Sequence, residues 1–162
     1  MVVIIFGLPG SGKSYFAEQL AARLNTQYLN TDRIRNEMYP RKKYSGRKKR
    51  SVYQEMLRQA TEHLKNGKAV VIDGTFYKNQ IRNEFKKIDI PVYWIEVTAE
   101  ESTIRKRLAK PRPYSDADFE IYKMIERQWE PMVSNHLILK SNDSNIEPML
   151  NEASHYLKYD KR

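Results

Sequence analysis

The chain has 162 residues, a formal net charge of +9 and no cysteine. That length suits one domain with a core of useful size, and the missing cysteines exclude a disulfide frame and a thiolate metal site. The only early apolar run is five residues long, which excludes a signal peptide and a membrane span, so a cytoplasmic protein without a membrane partner is expected. The basic field attracts phosphate-rich partners.

Val2-Val3-Ile4-Ile5-Phe6 reads as a buried parallel strand. Gly7-Leu8-Pro9-Gly10-Ser11-Gly12-Lys13-Ser14 follows and fits the phosphate-binding loop G-x-x-x-x-G-K-[ST]. Glycines let the backbone curl so that successive N–H groups face one concave site, and the next helix turns its positive end to the same place. Gly7, Pro9, Gly10, Ser11, Gly12, Lys13 and Ser14 are therefore nucleotide-binding candidates. Lys13 supplies a charge for the β- and γ-phosphates, and Ser14 a hydroxyl for Mg²⁺. Nucleotide binding alone does not choose between a kinase, a GTPase and a motor. An Asn-Lys-x-Asp guanine signature is absent, which disfavours a GTPase and leaves ATP as the expected donor.

Phe16, Ala17, Leu20 and Leu24 recur at helical spacing over 13–24. Tyr28-Leu29-Asn30 reads as a short strand, and Thr31 as the cap of a helix ending near Met38, before Pro40. Between Arg41 and Arg50, seven of ten residues are cationic and none is acidic, which predicts a solvated, mobile loop. A long amphipathic helix is expected from Ser51 to Asn66, with Val52, Met56, Ala60 and Leu64 as its apolar stripe. Ala69 to Ile72 is a central strand ending in Asp73-Gly74-Thr75. A helix over 79–87, a strand over 92–97 and an Arg/Lys-rich helix over 99–109 follow. Prolines at 111 and 113 break that helix, and Ser115-Asp116-Ala117-Asp118 is expected to open another, running to Trp129. A short strand over 137–139 and a helix over 146–159 close the chain. Five alternations of strand and helix predict an α/β three-layer fold: a five-stranded parallel sheet with helices on both faces and a lid, in one domain spanning 1–162.

Ligands of such sheets sit beyond the carboxyl ends of the strands, where the phosphate loop, Asp32 and Asp73 are all expected. Asp32 is placed to accept the proton of an acceptor hydroxyl; its other reading is a helix-start residue favoured by the dipole. Arg35, one helical turn on, grips an acceptor phosphate, orients Asp32 or is plain surface. Asp73 reaches Mg²⁺ through water, bonds the acceptor, or is a turn residue before Gly74. Thr75 assists by hydrogen bonding. Residues 105–117 read as a lid whose Arg107 and Arg112 neutralise charge on the transferring phosphoryl group, or as a solvated helical face. His63, His136 and His155 have no ligand spacing, and Trp94 and Trp129 read as packing. Tyr39, Tyr44 and Tyr53 beside the basic loop could stack bases while lysines meet phosphates.

The phosphate loop, Thr31-Asp32-Arg33-Ile34-Arg35, Val71-Ile72-Asp73-Gly74-Thr75-Phe76, Arg107-Leu108 through Arg112, Tyr114-Ser115-Asp116-Ala117 and Trp129-Glu130-Pro131 occur in that order. Together they resemble the P-loop kinase group that includes the kinase domain of phage polynucleotide 5′-hydroxyl kinase and many small AAA-type, zeta-toxin-like kinases. The resemblance implies Asp32 as general base, Arg35 on an acceptor phosphate, Arg112 on the donor phosphates, and Asp73 on the acceptor side or in the metal shell. It also implies that 142–145 lies near the adenine. The first expectation for function is an ATP- and Mg²⁺-dependent kinase acting on a polynucleotide 5′-OH, with RNA or DNA as partner. The alternatives are a kinase for a small metabolite, nucleoside or antibiotic alcohol, and a nucleotide-binding regulator without acceptor chemistry.

Overall fold

A computed structural model describes residues 1–40 and 46–159. In chain order these form β1 (Val2–Phe6), α1 (Lys13–Arg23), β2 (Gln27–Asn30), α2 (Thr31–Met38), α3 (Gly46–Lys65), β3 (Val70–Gly74), α4 (Asn79–Lys86), β4 (Val92–Thr98), α5 (Glu101–Leu108), α6 (Phe119–Arg127), β5 (Leu137–Lys140) and α7 (Ile146–Tyr159). The five strands make one parallel sheet in the order β2-β3-β1-β4-β5. β1 and β3 are buried along their whole length because every residue must face a covered side, which explains their unbroken apolar runs.

Alternate residues point to opposite faces. Val3, Ile5, Val71 and Ile95 pack against Phe16, Ala17 and Leu20 of α1 and Met149, Leu150, Ala153 and Leu157 of α7. Val2, Ile4, Phe6, Val70, Ile72 and Trp94 pack against Ile34 of α2, Val52, Met56 and Ala60 of α3, and Phe85 of α4. A small third cluster, Ile104, Leu108 and Tyr122 with Leu8 and Phe119, seats the α5–α6 segment on the phosphate loop. No helix among the described residues is long and apolar enough to cross a membrane.

Three local expectations change. α3 begins at Gly46, not at Ser51, so residues 46–50 of the expected basic loop are helical, while 41–45 lie outside the described residues. Aromatic rings receive these cations: the Lys48 ammonium lies 4.9 Å from the Tyr39 ring centroid and that of Lys49 3.8 Å from Tyr77. α2 is capped by Asn30, whose side chain accepts from the Arg33 amide at 2.9 Å, rather than by Thr31. α6 starts at Phe119 with Asp118 as its cap, because the Ser115 hydroxyl is engaged by Arg112 and the Ala117 amide.

One buried cation ties the sheet to the segment that follows α6. Arg82 of α4 is 1% exposed and lies against the stacked rings of Phe6 and Trp129. Its guanidinium donates to the Phe76 carbonyl at 2.6 Å and the Glu130 carbonyl at 2.5 Å. The Glu130 carboxylate in turn meets Lys78 at 3.2 Å and the Asn79 amide at 2.7 Å, and its own amide donates to the Tyr77 carbonyl. Arg82 thereby fixes a strained turn, since Phe76 is fully buried with φ +46°. Replacing Arg82 by Met keeps the packing but orphans the buried Phe76 carbonyl and the half-buried Glu130 carbonyl, and is expected to cost about 2–3 kcal/mol in urea unfolding. Arg58→Ala, on the exposed face of α3, is expected to leave the urea unfolding midpoint almost unchanged.

Candidate active site

The phosphate loop joins β1 to α1. A Cβ on Gly7 would stand 2.3 Å from the Val97 carbonyl oxygen, so only glycine lets the chain turn out of β1 beside β4. Gly12, at φ +90°, sits at the start of α1 with no side-chain cap, and the first turn holds no acidic residue. The amides of that turn are thus left facing the loop's concavity, as an anion requires. The loop is braced from behind by Ser141, whose hydroxyl donates to the Ser11 carbonyl at 2.5 Å. Arg107 braces it too, donating to the Gly10 carbonyl at 3.2 Å and the Ser141 hydroxyl at 2.9 Å, and pairing with Asp143 at 3.2 Å.

Asp73 lies in β3, one step before its end, in register with Ile5 of β1 and Asn30 of β2. Its carboxylate is wholly buried. One oxygen, Oδ2, accepts from the Tyr28 hydroxyl at 2.9 Å and the Asn30 amide at 2.5 Å. The other, Oδ1, has no hydrogen bond among the described residues, although the Ser14 hydroxyl stands near enough to the carboxyl to favour its charged form. Burial pushes the Asp73 carboxyl up from the usual carboxylate range, and the Lys13 ammonium opposes that shift. Burial likewise lowers Lys13, against the pull of Asp73 and then Asp32, while Arg112 lowers it further. Tyr28 is held protonated by burial and by the adjacent Asp73 charge.

Asp32 stands in the first turn of α2, 29% exposed, and pairs with Arg35 at 2.8 Å. Arg35 and Asn36 both donate to the Tyr114 carbonyl, at 3.2 and 3.1 Å, so α2 touches the tip of the 109–118 segment. Arg112 lies in that segment, held by the Ser115 hydroxyl at 3.2 Å and the Ala117 carbonyl at 2.8 Å. Burial lowers its pKa and the Asp32 charge opposes. The structure therefore brings Asp73, Asp32 and Arg112 within electrostatic reach of Lys13, and Arg112 within reach of Asp32. Arg107 is not part of that group; it grips the opposite side of the phosphate loop.

Ser14 lies beside Asp73, in the first turn of α1. Thr75 follows β3 directly, with its hydroxyl 3.3 Å from that of Tyr53. Tyr53 is buried and also accepts from the Phe76 amide, so it braces this turn and is not presented for base stacking. Tyr44 lies outside the described residues. His136 pairs with Glu96 at 3.1 Å and serves packing, as expected. Tyr28 and Asn30 were not singled out from the sequence. The one signal available is their spacing, two apart on a strand and hence on one face. Ser141 gave no signal.

The order β2-β3-β1-β4-β5, the glycine loop after β1 and the helices on both faces define the α/β P-loop kinase fold. The chain belongs to the AAA domain family AAA_33, whose model matches residues 2–135. It is similar to a shikimate kinase of Corynebacterium glutamicum, 25% identical over 172 residues that cover 98% of each chain. Among solved structures, a sugar kinase from Janibacter sp. HTCC2649 aligns with a TM-score of 0.76 at 14% identity, over 97% of this chain and 94% of its own. A gluconokinase from Sinorhizobium meliloti 1021 aligns at 0.70 and 13% identity, over 99% and 97%. None of these relatives is a polynucleotide kinase.

Asn30 both caps α2 and orients Asp73. Asn30→Ala is expected to lower stability by about 1–2 kcal/mol in chemical denaturation, with the cap as the main loss. It should also weaken Mg²⁺-nucleotide binding in calorimetric titration, which a pure capping defect would leave unchanged.

Proposed function

We propose that the protein is an ATP-dependent kinase that phosphorylates a hydroxyl of a small metabolite. The observation that carries this reading is the gathering of Asp32, Asp73 and Arg112 around Lys13 at the carboxyl ends of β1, β2 and β3. The names of the relatives, kinases of shikimate, sugar and gluconate, support a small acceptor over a polynucleotide end.

The residues present fit a magnesium nucleotide. The uncapped start of α1 suits phosphates, and the Ser14 hydroxyl lies close to a buried Asp73 oxygen that accepts no other hydrogen bond among the described residues. Gly7, Pro9, Gly10, Ser11, Gly12, Lys13 and Ser14 would cradle the phosphates, with Ser14 and Asp73 in the metal shell. The full burial of Asp73 favours that role over contact with the acceptor. A cleft lined by Gly12, Tyr15, Arg107, Asn142, Asp143 and Asn145 suits the base, which makes Arg107 a donor-side residue through the loop it braces. When bound, Mg²⁺-ATP supplies the phosphoryl group and offsets part of its charge.

The chain's residues do the rest. Asp32, partly open and held by Arg35, takes the proton of the acceptor hydroxyl as that oxygen attacks. Lys13 and Arg112 face the charge that spreads over the phosphoryl oxygens, in a setting where burial strengthens their pull. Arg35 and Thr75 line the acceptor side.

The test is transfer of label from γ-labelled ATP to a panel of small hydroxy compounds and to 5′-hydroxyl oligonucleotides. Label is expected in small alcohols, and Asp32→Asn should lower kcat by about 10²- to 10⁴-fold while ATP affinity holds. Label only in oligonucleotides would reinstate the polynucleotide reading, and activity indifferent to Asp32→Asn would remove the general base.

A further inference from the structure

The turn at the tip of the 109–118 segment has no part in the chemistry above beyond carrying Arg112. Pro111 and Pro113 flank Arg112, and Tyr114 follows with φ +64°, in the left-handed region. A bulky residue rarely adopts that conformation, so the surroundings must hold it there. Two sets of contacts do so. Within the turn, Arg112 and Ser115 form an antiparallel bridge across Pro113 and Tyr114. Outside it, the Tyr114 carbonyl accepts from Arg35 at 3.2 Å and Asn36 at 3.1 Å, and the Arg33 guanidinium lies 5.4 Å from the Tyr114 ring centroid. All three partners belong to α2, the helix that carries Asp32.

Asn36 joins turn and helix most closely. It stands one helical turn after Asp32, on the same face of α2. Its side-chain nitrogen donates to the Asp32 carbonyl at 2.9 Å as well as to the Tyr114 carbonyl. One amide thus holds the backbone of the residue that takes the proton and the tip of the turn that bears Arg112.

Ser115 acts at the other end of the turn. Its hydroxyl accepts from Arg112 Nη2 at 3.2 Å, and the Ala117 carbonyl accepts from the same nitrogen at 2.8 Å. The Ala117 amide donates to that hydroxyl at 3.4 Å, which fixes the acceptor in turn. Nε and Nη1 of Arg112 make no hydrogen bond among the described residues. The guanidinium is therefore fixed along one edge and keeps N–H donors for a ligand along the other.

We propose that Asn36 and Ser115 are positioning residues for phosphoryl transfer: Ser115 aims the Arg112 guanidinium, and Asn36 docks the turn that carries it onto the helix of the general base. This rests on the kinase reading above. The proton acceptor and the cation that meets the transferring group need fixed relative places, because a shift of about 1 Å can cost about 100-fold in rate.

Two measurements test this. The first follows amide hydrogen exchange over 109–118 by mass spectrometry and needs no turnover. Asn36→Ala removes the shared donor. It is expected to speed exchange in that peptide at least about tenfold, while β1 and β3 exchange as in wild type. Equal exchange over 109–118 in the two proteins overturns the docking.

The second compares the calorimetric affinity for Mg²⁺-ADP alone and for Mg²⁺-ADP with aluminium fluoride, a mimic of the phosphoryl group in transfer. Wild type is expected to bind more tightly with the fluoride, because Arg112 meets the charge of the mimic. Ser115→Ala and Asn36→Ala should each lose about tenfold of that gain and hold their affinity for Mg²⁺-ADP alone. Ser115→Thr, which retains the hydroxyl, should keep the gain. In an Arg112→Met background neither substitution should cost anything further, since each acts through that arginine. A merely structural role would weaken both complexes alike and add in full to Arg112→Met, and either result overturns the positioning. A wild-type gain that Ser115→Ala and Asn36→Ala leave intact overturns it too, with the kinase reading standing. No gain in the wild type overturns the kinase reading and the positioning that rests on it.

Discussion

A carboxylate shut away from water cannot stay charged without partners, and Asp73 is the charge around which this site is arranged. It is fully buried, and two neutral donors, Tyr28 and Asn30, hold one of its oxygens. The ammonium of Lys13 supplies the opposing charge. The attraction between the two charges offsets part of what burial costs the Asp73 carboxylate. The hydrogen bond from Asn30 explains why Asp73 must lie inside β3 and not in the turn beyond it. Only there does the sheet bring it into register with Asn30.

Asn30 carries that arrangement outward. Its amide group donates to Asp73 while its oxygen caps α2. The start of α2, and with it Asp32, is therefore fixed relative to the phosphate loop by a single side chain. The segment between α5 and α6 closes the other side. Its apolar feet, Ile104, Leu108 and Tyr122, rest near Leu8 of the loop, and its tip meets Arg35 and Asn36 through Tyr114. The return of that segment is bound to the turn after β3 by Arg82 and Glu130. The phosphate loop, α2 and the segment between α5 and α6 are thus linked through packed side chains.

Much of this was legible in the residues. β1 and β3 announce themselves because strands covered on both faces need unbroken apolar runs. The phosphate loop follows from glycine spacing, and Asp32, Arg35 and Arg112 from their places after a strand and between prolines. The cap of α2 was misread because Asn30 also belongs to a strand, and a residue with two roles shows only one in a local pattern. The start of α3 was misread because a run of like charges reads as solvated; rings from Tyr39 and Tyr77 receive the cations, and Tyr77 is 28 residues from Lys49. Tyr28 serves a carboxylate 45 residues away, a pairing visible only once β2 and β3 are side by side. Arg107 and Arg112 look alike in sequence, yet the first lies in α5 and bonds the phosphate loop, while the second lies beyond that helix, held by Ser115 and Ala117 within reach of the Asp32 charge. The acceptor class lay beyond the motifs, which specify the donor side more tightly than the pocket opposite.

The claim beneath this account is that Asp73 is where metal and nucleotide meet the protein. Its most direct test is the affinity for ATP measured by calorimetry with and without Mg²⁺, in wild type and in Asp73→Asn. The account predicts that Mg²⁺ tightens ATP binding to the wild type and that the variant, folded, loses most of that gain. The same gain in both proteins would contradict it.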